Sequence, residues 1–334
     1  MNWNPTWICP ANDLGDPAAV FGTSFVFEKK ITHANLTITA MGVYEARLNG
    51  RHVGQFVMAP GWTSYHKRLQ YQKYDITDLL TNGKNEIEVT VGKGWYRSPL
   101  PGWLGCAYQD ELRSRPCGLA AQITLTFEDG SSKILSTDES WKVSDGPVRF
   151  SEIYDGEIYD SAKTPLLDQP VTIFDGPTDT LILQQGEEVC EQERLAVKKV
   201  FVTPNGETVL DFGQNMTGYV ELFVNAKAGD CVDLSFAEVM DKEGNFYTEN
   251  YRGAKAQYHY ICSDGVQTWH PSLTFYGFRY IRINDFPGGI DCVKPENFTA
   301  IVVHSNMKRT GFLSSSNTLL NQLFSNIIWG QKGN

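Results

Sequence analysis

Carboxylates are the side chains of this sequence best placed to do chemistry. In IYDGEIYD, Asp155 and Glu157 stand two residues apart, a spacing that would turn both acids to one face of a strand. A facing pair of carboxylic acids is what glycoside hydrolysis requires. The same Asp-Gly step is also a common turn, with its acids at a strand end. Asp211, in LDFGQN, precedes Gly213 and reads as a residue that orders a turn through its side-chain oxygens. Glu238, Asp241 and Glu243, in AEVMDKEGNFYTEN, could offer oxygens to a cation, but their spacing departs from a calcium loop and a solvated hairpin is the simpler reading.

Aromatic side chains form the other candidate set. Trp62 and Tyr65 fall in the loop APGWTSYHKRLQYQKYD, residues 59–75, and Trp95, Tyr96 and Trp103 in GKGWYRSPLPGWLGCAYQDE, residues 92–111. Loops this long inside a compact domain are either functional or packed by their own side chains. Flat rings beside polar loop residues can stack on a sugar, and rings in a sandwich core are equally ordinary.

Several chemistries are excluded or unsupported. A net charge of −10 without basic clustering argues against nucleic acid as a partner. No apolar run approaches a membrane span. There is no Gly-rich phosphate loop, no GxSxG, no HExxH and no Cys/His zinc spacing. The six histidines are scattered and read as structural. Cys9, Cys106, Cys117, Cys190, Cys231, Cys262 and Cys292 are odd in number and far apart, which reads as reduced, mostly buried thiols. The opening MNWNPTWICP lacks the pattern of a signal peptide, so a cytoplasmic location is expected.

The elements that must position these residues are mostly strands. Short runs with apolar/polar alternation, such as Val220-Glu221-Leu222-Phe223-Val224, recur between turn residues, and Asn49-Gly50, Asp129-Gly130 and Asn205-Gly206 mark tight hairpins. The expected fold is all-β, with two jelly-roll-like β-sandwich modules followed by a C-terminal linker helix. We place the first module at residues 1–165, a linker at 166–190, the second module at 191–308 and the helix segment at 309–334. The helix reading rests on SSSNTLLNQLFSNIIWGQKGN, where Leu319, Leu320, Leu323, Phe324, Ile327 and Ile328 form one stripe and Ser316 or Asn317 caps the start. Burying six such side chains is worth about 10 kcal/mol, so the stripe calls for a large apolar partner. That partner is either the preceding β module or a further domain.

Taken in order, LNGRHVG, APGWTSYHKRLQYQKYDIT, VGKGWYR, SEIYDGEIYD, DFGQNMTGYV, AEVMDKEGNFYTENYRGAK, LTFYGFRYI and the segment ending NIIWGQKGN resemble the bacterial α-L-rhamnosidases of glycoside hydrolase family 78. DFGQNM, GFRY and NIIWGQKGN carry most of that resemblance. It implies two β-sandwich modules, a linker helix and then an (α/α)6 barrel that removes terminal α-L-rhamnose from glycosides with inversion, using one acid and one water-activating carboxylate. The family's catalytic acids lie beyond the segment matching residues 329–334, so the resemblance gives no catalytic residue a position here and implies that these 334 residues alone do not hydrolyse. Rhamnose-containing glycosides and the barrel are the partners it implies, and the exposed stripe could also pair two copies of the chain. No cofactor is expected apart from calcium, which helps some first modules of the family bind rhamnose. This chain departs from the family at Tyr258 and Tyr260, where an acidic residue is usual at the first position, and at Ser64-Tyr65-His66. A module that binds rhamnose or a plant glycoside without hydrolysis is the alternative expectation.

Overall fold

The structure is a computed structural model that describes residues 3–98 and 114–333. It is all-β apart from short helical turns and one C-terminal helix, and it divides into two compact units. The first holds residues 1–153 and 157–186, the second residues 154–156 and 187–334.

In the first unit, strands run in the hydrogen-bonded order Leu181–Leu183, Leu69–Asp75, Ile31–Met41, Gly118–Phe127, Trp7–Pro10, Gln169–Phe174, Lys142–Asp145, Ala19–Phe27, Gly83–Gly92, Val43–Leu48 and Arg51–His52. Ser132–Ser136 pairs off this path with Gly118–Phe127. The sheet curls over itself, because Leu36, Ile38 and Ile123 from one half share a buried cluster with Phe21, Leu48 and Val89 from the other. Alternation along each strand supplies that inner face. Asn49 and Gly50 both take positive φ, 54° and 76°, as the tight hairpin between Val43–Leu48 and Arg51–His52 demands.

Residues 166–190, expected as a linker, instead carry two strands of this sheet. Gln169–Phe174 pairs with Trp7–Pro10 through Ile8↔Ile173, and Leu181–Leu183 runs parallel to Leu69–Asp75. Their Pro and acidic residues resemble a linker locally, but the backbone groups find ladder partners more than a hundred residues away.

The second unit is built on Thr208–Ala226, a long strand that changes partners along its length. Val209 to Gly218 pairs with Tyr276–Asp285, and Gly218 to Leu222 pairs with Phe298–Ser305. Gly218 sits where the two ladders meet, at φ 154°, and a Cβ there would lie 1.9 Å from the carbonyl oxygen of Ile301. Only glycine lets the backbones approach so closely. The remaining order is Gln257–Ile261, Cys231–Ala237 and Tyr276–Asp285 on one side, with Val189–Ala196 beyond Phe298–Ser305 on the other. Phe212, Phe236 and Phe278 pack edge to face in the core, and Tyr276 lies flat on Phe236 with centroids 3.8 Å apart.

The C-terminal helix spans Thr318–Lys332, and Asn317 caps it by accepting the Leu319 and Leu320 N–H groups. None of its residues is buried, and Leu319, Leu323 and Ile327 are 79%, 54% and 56% exposed. The apolar stripe therefore does not close on the preceding sandwich. Among the described residues no helix is long and apolar enough to cross a membrane.

Candidate functional site

Two of the aromatic candidates form a surface platform. Trp62 and Trp95 lie parallel, 5° apart with centroids separated by 6.2 Å, and Trp62 is 59% exposed. Tyr65 and Tyr96 also meet, edge to face at 5.2 Å, but in a different role. Tyr96 is buried with Trp7, Met41, Leu69 and Ala120, and Tyr65 packs against that cluster. These two tyrosines pack into the interior instead of presenting their faces. The Arg115 guanidinium lies 5.4 Å from the Tyr96 ring centroid. Trp103 lies outside the described residues.

The acidic pair does not share a strand face. Asp155 falls in the turn before the strand Gly156–Asp160, whereas Glu157 lies inside that strand. Gly156 carries φ 113°, and a Cβ there would meet the Gln257 carbonyl oxygen at 1.6 Å, so the chain must turn at this Asp-Gly step. Asp155 accepts the Lys255 backbone N–H at 3.3 Å and pairs with the Lys255 ammonium at 3.2 Å. Glu157 is 2% exposed. Neither is an open carboxylate of the kind a glycosidase presents to water.

The acids of AEVMDKEGNFYTEN build a hairpin. Val239–Met240 pairs with Phe246–Tyr247, and the Asp241 carboxylate accepts the Asn245 N–H at 2.6 Å and its side-chain amide at 3.1 Å. Those hydrogen bonds hold the Asp241 carboxyl below its ordinary value. Among the described residues no group of three or more His, Cys, Asp or Glu side chains is placed to hold a metal ion.

The residues that sequence reasoning passed over are those of DFGQN and GFRY taken together. The ladder between Thr208–Ala226 and Tyr276–Asp285 breaks after Asp211↔Tyr280 and resumes at Met216↔Phe278, so Phe212, Gly213, Gln214 and Asn215 stand opposite Arg279 alone. This is an enlarged bulge, and charge locks it. Arg279 donates from Nε and Nη2 to the two Asp211 oxygens, each at 2.8 Å, and Gly213 N–H donates to Asp211 Oδ1 at 2.6 Å. Burial alone would raise the Asp211 carboxyl, but the Arg279 fork and the Gly213 amide outweigh it and hold it below the usual carboxylate range. Asp211 thus orders the backbone as expected, with a partner that no local pattern announces.

The bulge sets Asn215 against Glu238. Asn215 Nδ2 donates to Glu238 Oε1 at 3.2 Å, and Asn250 Nδ2 donates to Oε2 at 3.0 Å. Tyr251, its phenol pushed up by burial and by Glu238, donates to the Gly277 carbonyl at 2.5 Å. Between Gln214, Asn215, Glu238 and Gly277 on the sheet and the helix side chains Asn326 and Trp329 lies a cleft of about 410 Å³. The Lys332 ammonium sits 4.1 Å from the Trp329 ring centroid and is itself bonded to Glu193, which orients the indole. A sequence signal for this site existed in the opposite charges of LDFGQN and GFRY, but the separation of 68 residues hid it.

Two all-β sandwich units, one carrying the Trp62–Trp95 pair and the other a polar cleft beside the C-terminal helix, define the class of protein this chain belongs to. Residues 29–193 match the α-L-rhamnosidase N-terminal domain, and residues 201–304 match the bacterial α-L-rhamnosidase concanavalin-like domain. The chain belongs to the α-L-rhamnosidase family. An α-L-rhamnosidase of Streptomyces avermitilis is 37% identical over 92% of this chain, and one of Formosa agariphila is 35% identical over 93%. Those matches take in 30% and 34% of the two relatives, so the chain spans about a third of the length of each. The crystal structure of the Aspergillus terreus α-L-rhamnosidase superposes with a TM-score of 0.92 at 37% identity, covering 99% of this chain and 40% of that one. The S. avermitilis enzyme complexed with L-rhamnose gives 0.88 at 35% identity, covering 96% of this chain and 32% of that one.

Proposed function

We propose that this chain is the N-terminal, non-catalytic part of an α-L-rhamnosidase whose full polypeptide releases terminal α-L-rhamnose from glycosides with inversion. The observation that carries the reading is the apolar stripe of Thr318–Lys332, of which Leu319, Leu320, Leu323 and Ile327 stay exposed and call for a covering surface. A following (α/α)6 barrel is the partner that fits the family and the length of the relatives. Inversion needs two carboxyl groups about 6.5–9.5 Å apart around a water. The acids offered here, Asp155 held by Lys255 and Glu157 in the interior, do not meet that description. In this reading catalysis belongs to residues outside these 334.

The test is hydrolysis of an aryl α-L-rhamnoside by this chain and by a chain extended through the downstream reading frame. Turnover is expected only from the extended chain. Turnover by the 334-residue chain that is abolished in Asp155→Asn or Glu157→Gln would refute the proposal.

A second reading is supported by Trp62 and Trp95. In it the first unit captures rhamnose or a plant glycoside independently of cleavage. A pyranose between two rings needs contacts of about 3.5–4.0 Å on each side, more room than centroids 6.2 Å apart leave, so the sugar would stack on the outward indole face. Calorimetry with L-rhamnose, with and without calcium, on the wild type and on Trp62→Ala decides this reading.

A further inference from the structure

The three stretches that make this sequence recognisable, DFGQNM, GFRY and NIIWGQKGN, share no strand or helix, yet in the second unit they meet around one cleft. Gly213 belongs to this arrangement. It takes φ 78°, and a Cβ there would press on Lys198 Cγ at 3.1 Å, so the bulge that projects Gln214 and Asn215 depends on glycine. A ladder break fixed by two charge-assisted hydrogen bonds costs sheet pairing, and its yield is the placement of two amides beside a carboxylate.

We propose that this cleft binds a neutral pyranose, with Glu238 as the acceptor that orients its hydroxyls. The chemistry of the lining selects the ligand class. Glu238 already accepts one hydrogen bond on each oxygen, from Asn215 and Asn250, and each carboxylate oxygen has a second lone pair to offer. Gln214 spends its amide N–H on the Asn215 carbonyl at 2.7 Å, leaving its own Oε1 as an acceptor. Asn326 receives the Gln322 amide on Oδ1 at 2.8 Å, leaving its Nδ2 as a donor. Sugar hydroxyls both donate and accept, so they satisfy this mixture. The half-buried Trp329 indole gives the apolar C–H face of a pyranose a surface to rest on. An anion is opposed by Glu238, and a metal ion lacks ligands because no cluster of three acids, cysteines or histidines exists among the described residues. A volume of about 410 Å³ accommodates one or two sugar rings.

This site is separate from the Trp62–Trp95 platform and does not depend on the hydrolase reading, since a chain that never cleaves a glycoside can still bind here. The experiment titrates the 334-residue chain with L-rhamnose, D-galactose, D-glucose and D-glucuronate by calorimetry and saturation-transfer NMR, using wild type, Glu238→Gln, Asn326→Ala and Trp62→Ala. At least one neutral sugar is expected to bind and glucuronate is not. Glu238→Gln weakens that binding at least about tenfold and Asn326→Ala several-fold, both read in the Trp62→Ala background so that the platform makes no contribution. Asn326 is exposed on the helix, so its variant remains informative should Glu238→Gln unfold the bulge. The assignment is overturned if no neutral sugar binds the wild type, if Glu238→Gln and Asn326→Ala both bind as tightly as the Trp62→Ala chain, or if Trp62→Ala alone removes the binding.

Discussion

The Trp62–Trp95 platform and the Glu238 cleft both offer aromatic and polar groups at a surface, but they are held by different forces. The platform is made by Trp62 and by Trp95 of the helical turn Gly94–Arg97, where the next residue, Tyr96, is anchored among Trp7, Met41 and Leu69. The cleft is carried by strands, with a bulge fastened through the Arg279–Asp211 fork. Apolar support is non-directional and tolerates small shifts. A bidentate charge pair tolerates few, so the cleft should be the more sharply defined site and the more easily broken one.

The largest disturbance should come from Phe236→Ala, which empties the core beneath the cleft where Phe236 is fully buried against Tyr276 and Phe278. A loss of about 3–5 kcal/mol is expected in urea unfolding of the second unit, with the unfolding of the first unit left in place. Arg279→Leu tests the fork itself. Removing hydrogen bonds to a charged partner should cost about 2–3 kcal/mol and should abolish the sugar binding proposed for the cleft.

Titration sharpens the contrast further. The folded Asp211 carboxyl lies below its unfolded value of about 3.9, so its contribution is present above that pH and is lost as pH falls through the folded value. Thermal melts from pH 5 to pH 2 should show this loss in the wild type and less of it in Arg279→Leu. His259 moves the opposite way. Its hydrogen bond to Asp233 at 3.0 Å raises its folded value above about 6.5, so the contribution is full below that pH and fades as pH rises through the folded value. Its size should stay below about 1 kcal/mol, and His259→Gln should flatten the melting curve between pH 6 and pH 8. The smallest effect belongs to Trp62→Ala, with a stability change within about 0.5 kcal/mol, since that ring is mostly exposed. A larger change would mean that the platform is a packed element instead of a presented one.

Much of the framework was legible in the residues. Alternation located strands such as Cys231–Ala237, Asn-Gly and Asp-Gly steps located hairpins, and the apolar stripe with its Asn317 cap located the helix. The candidate sites were legible only in fragments. Tyr96 could be named as an aromatic loop residue, but it lies in the helical turn Gly94–Arg97 and is buried against Trp7, far away in the sequence. Asp211 could be named as a turn residue, but not as the partner of Arg279. Gln169–Phe174 read as linker because its pairing with Trp7–Pro10 lies far outside any local window.

The sequence by itself determined the class of the chain, the kind of each element and the places where the backbone must turn, because φ/ψ preference and side-chain period act over a few neighbouring residues. Tertiary structure alone decided which motifs meet. Bringing Asp211 to Arg279, and Asn215 to Glu238 and Trp329, takes chain segments that only the closed sandwich holds together, since ladder pairing and burial act across any separation in the chain.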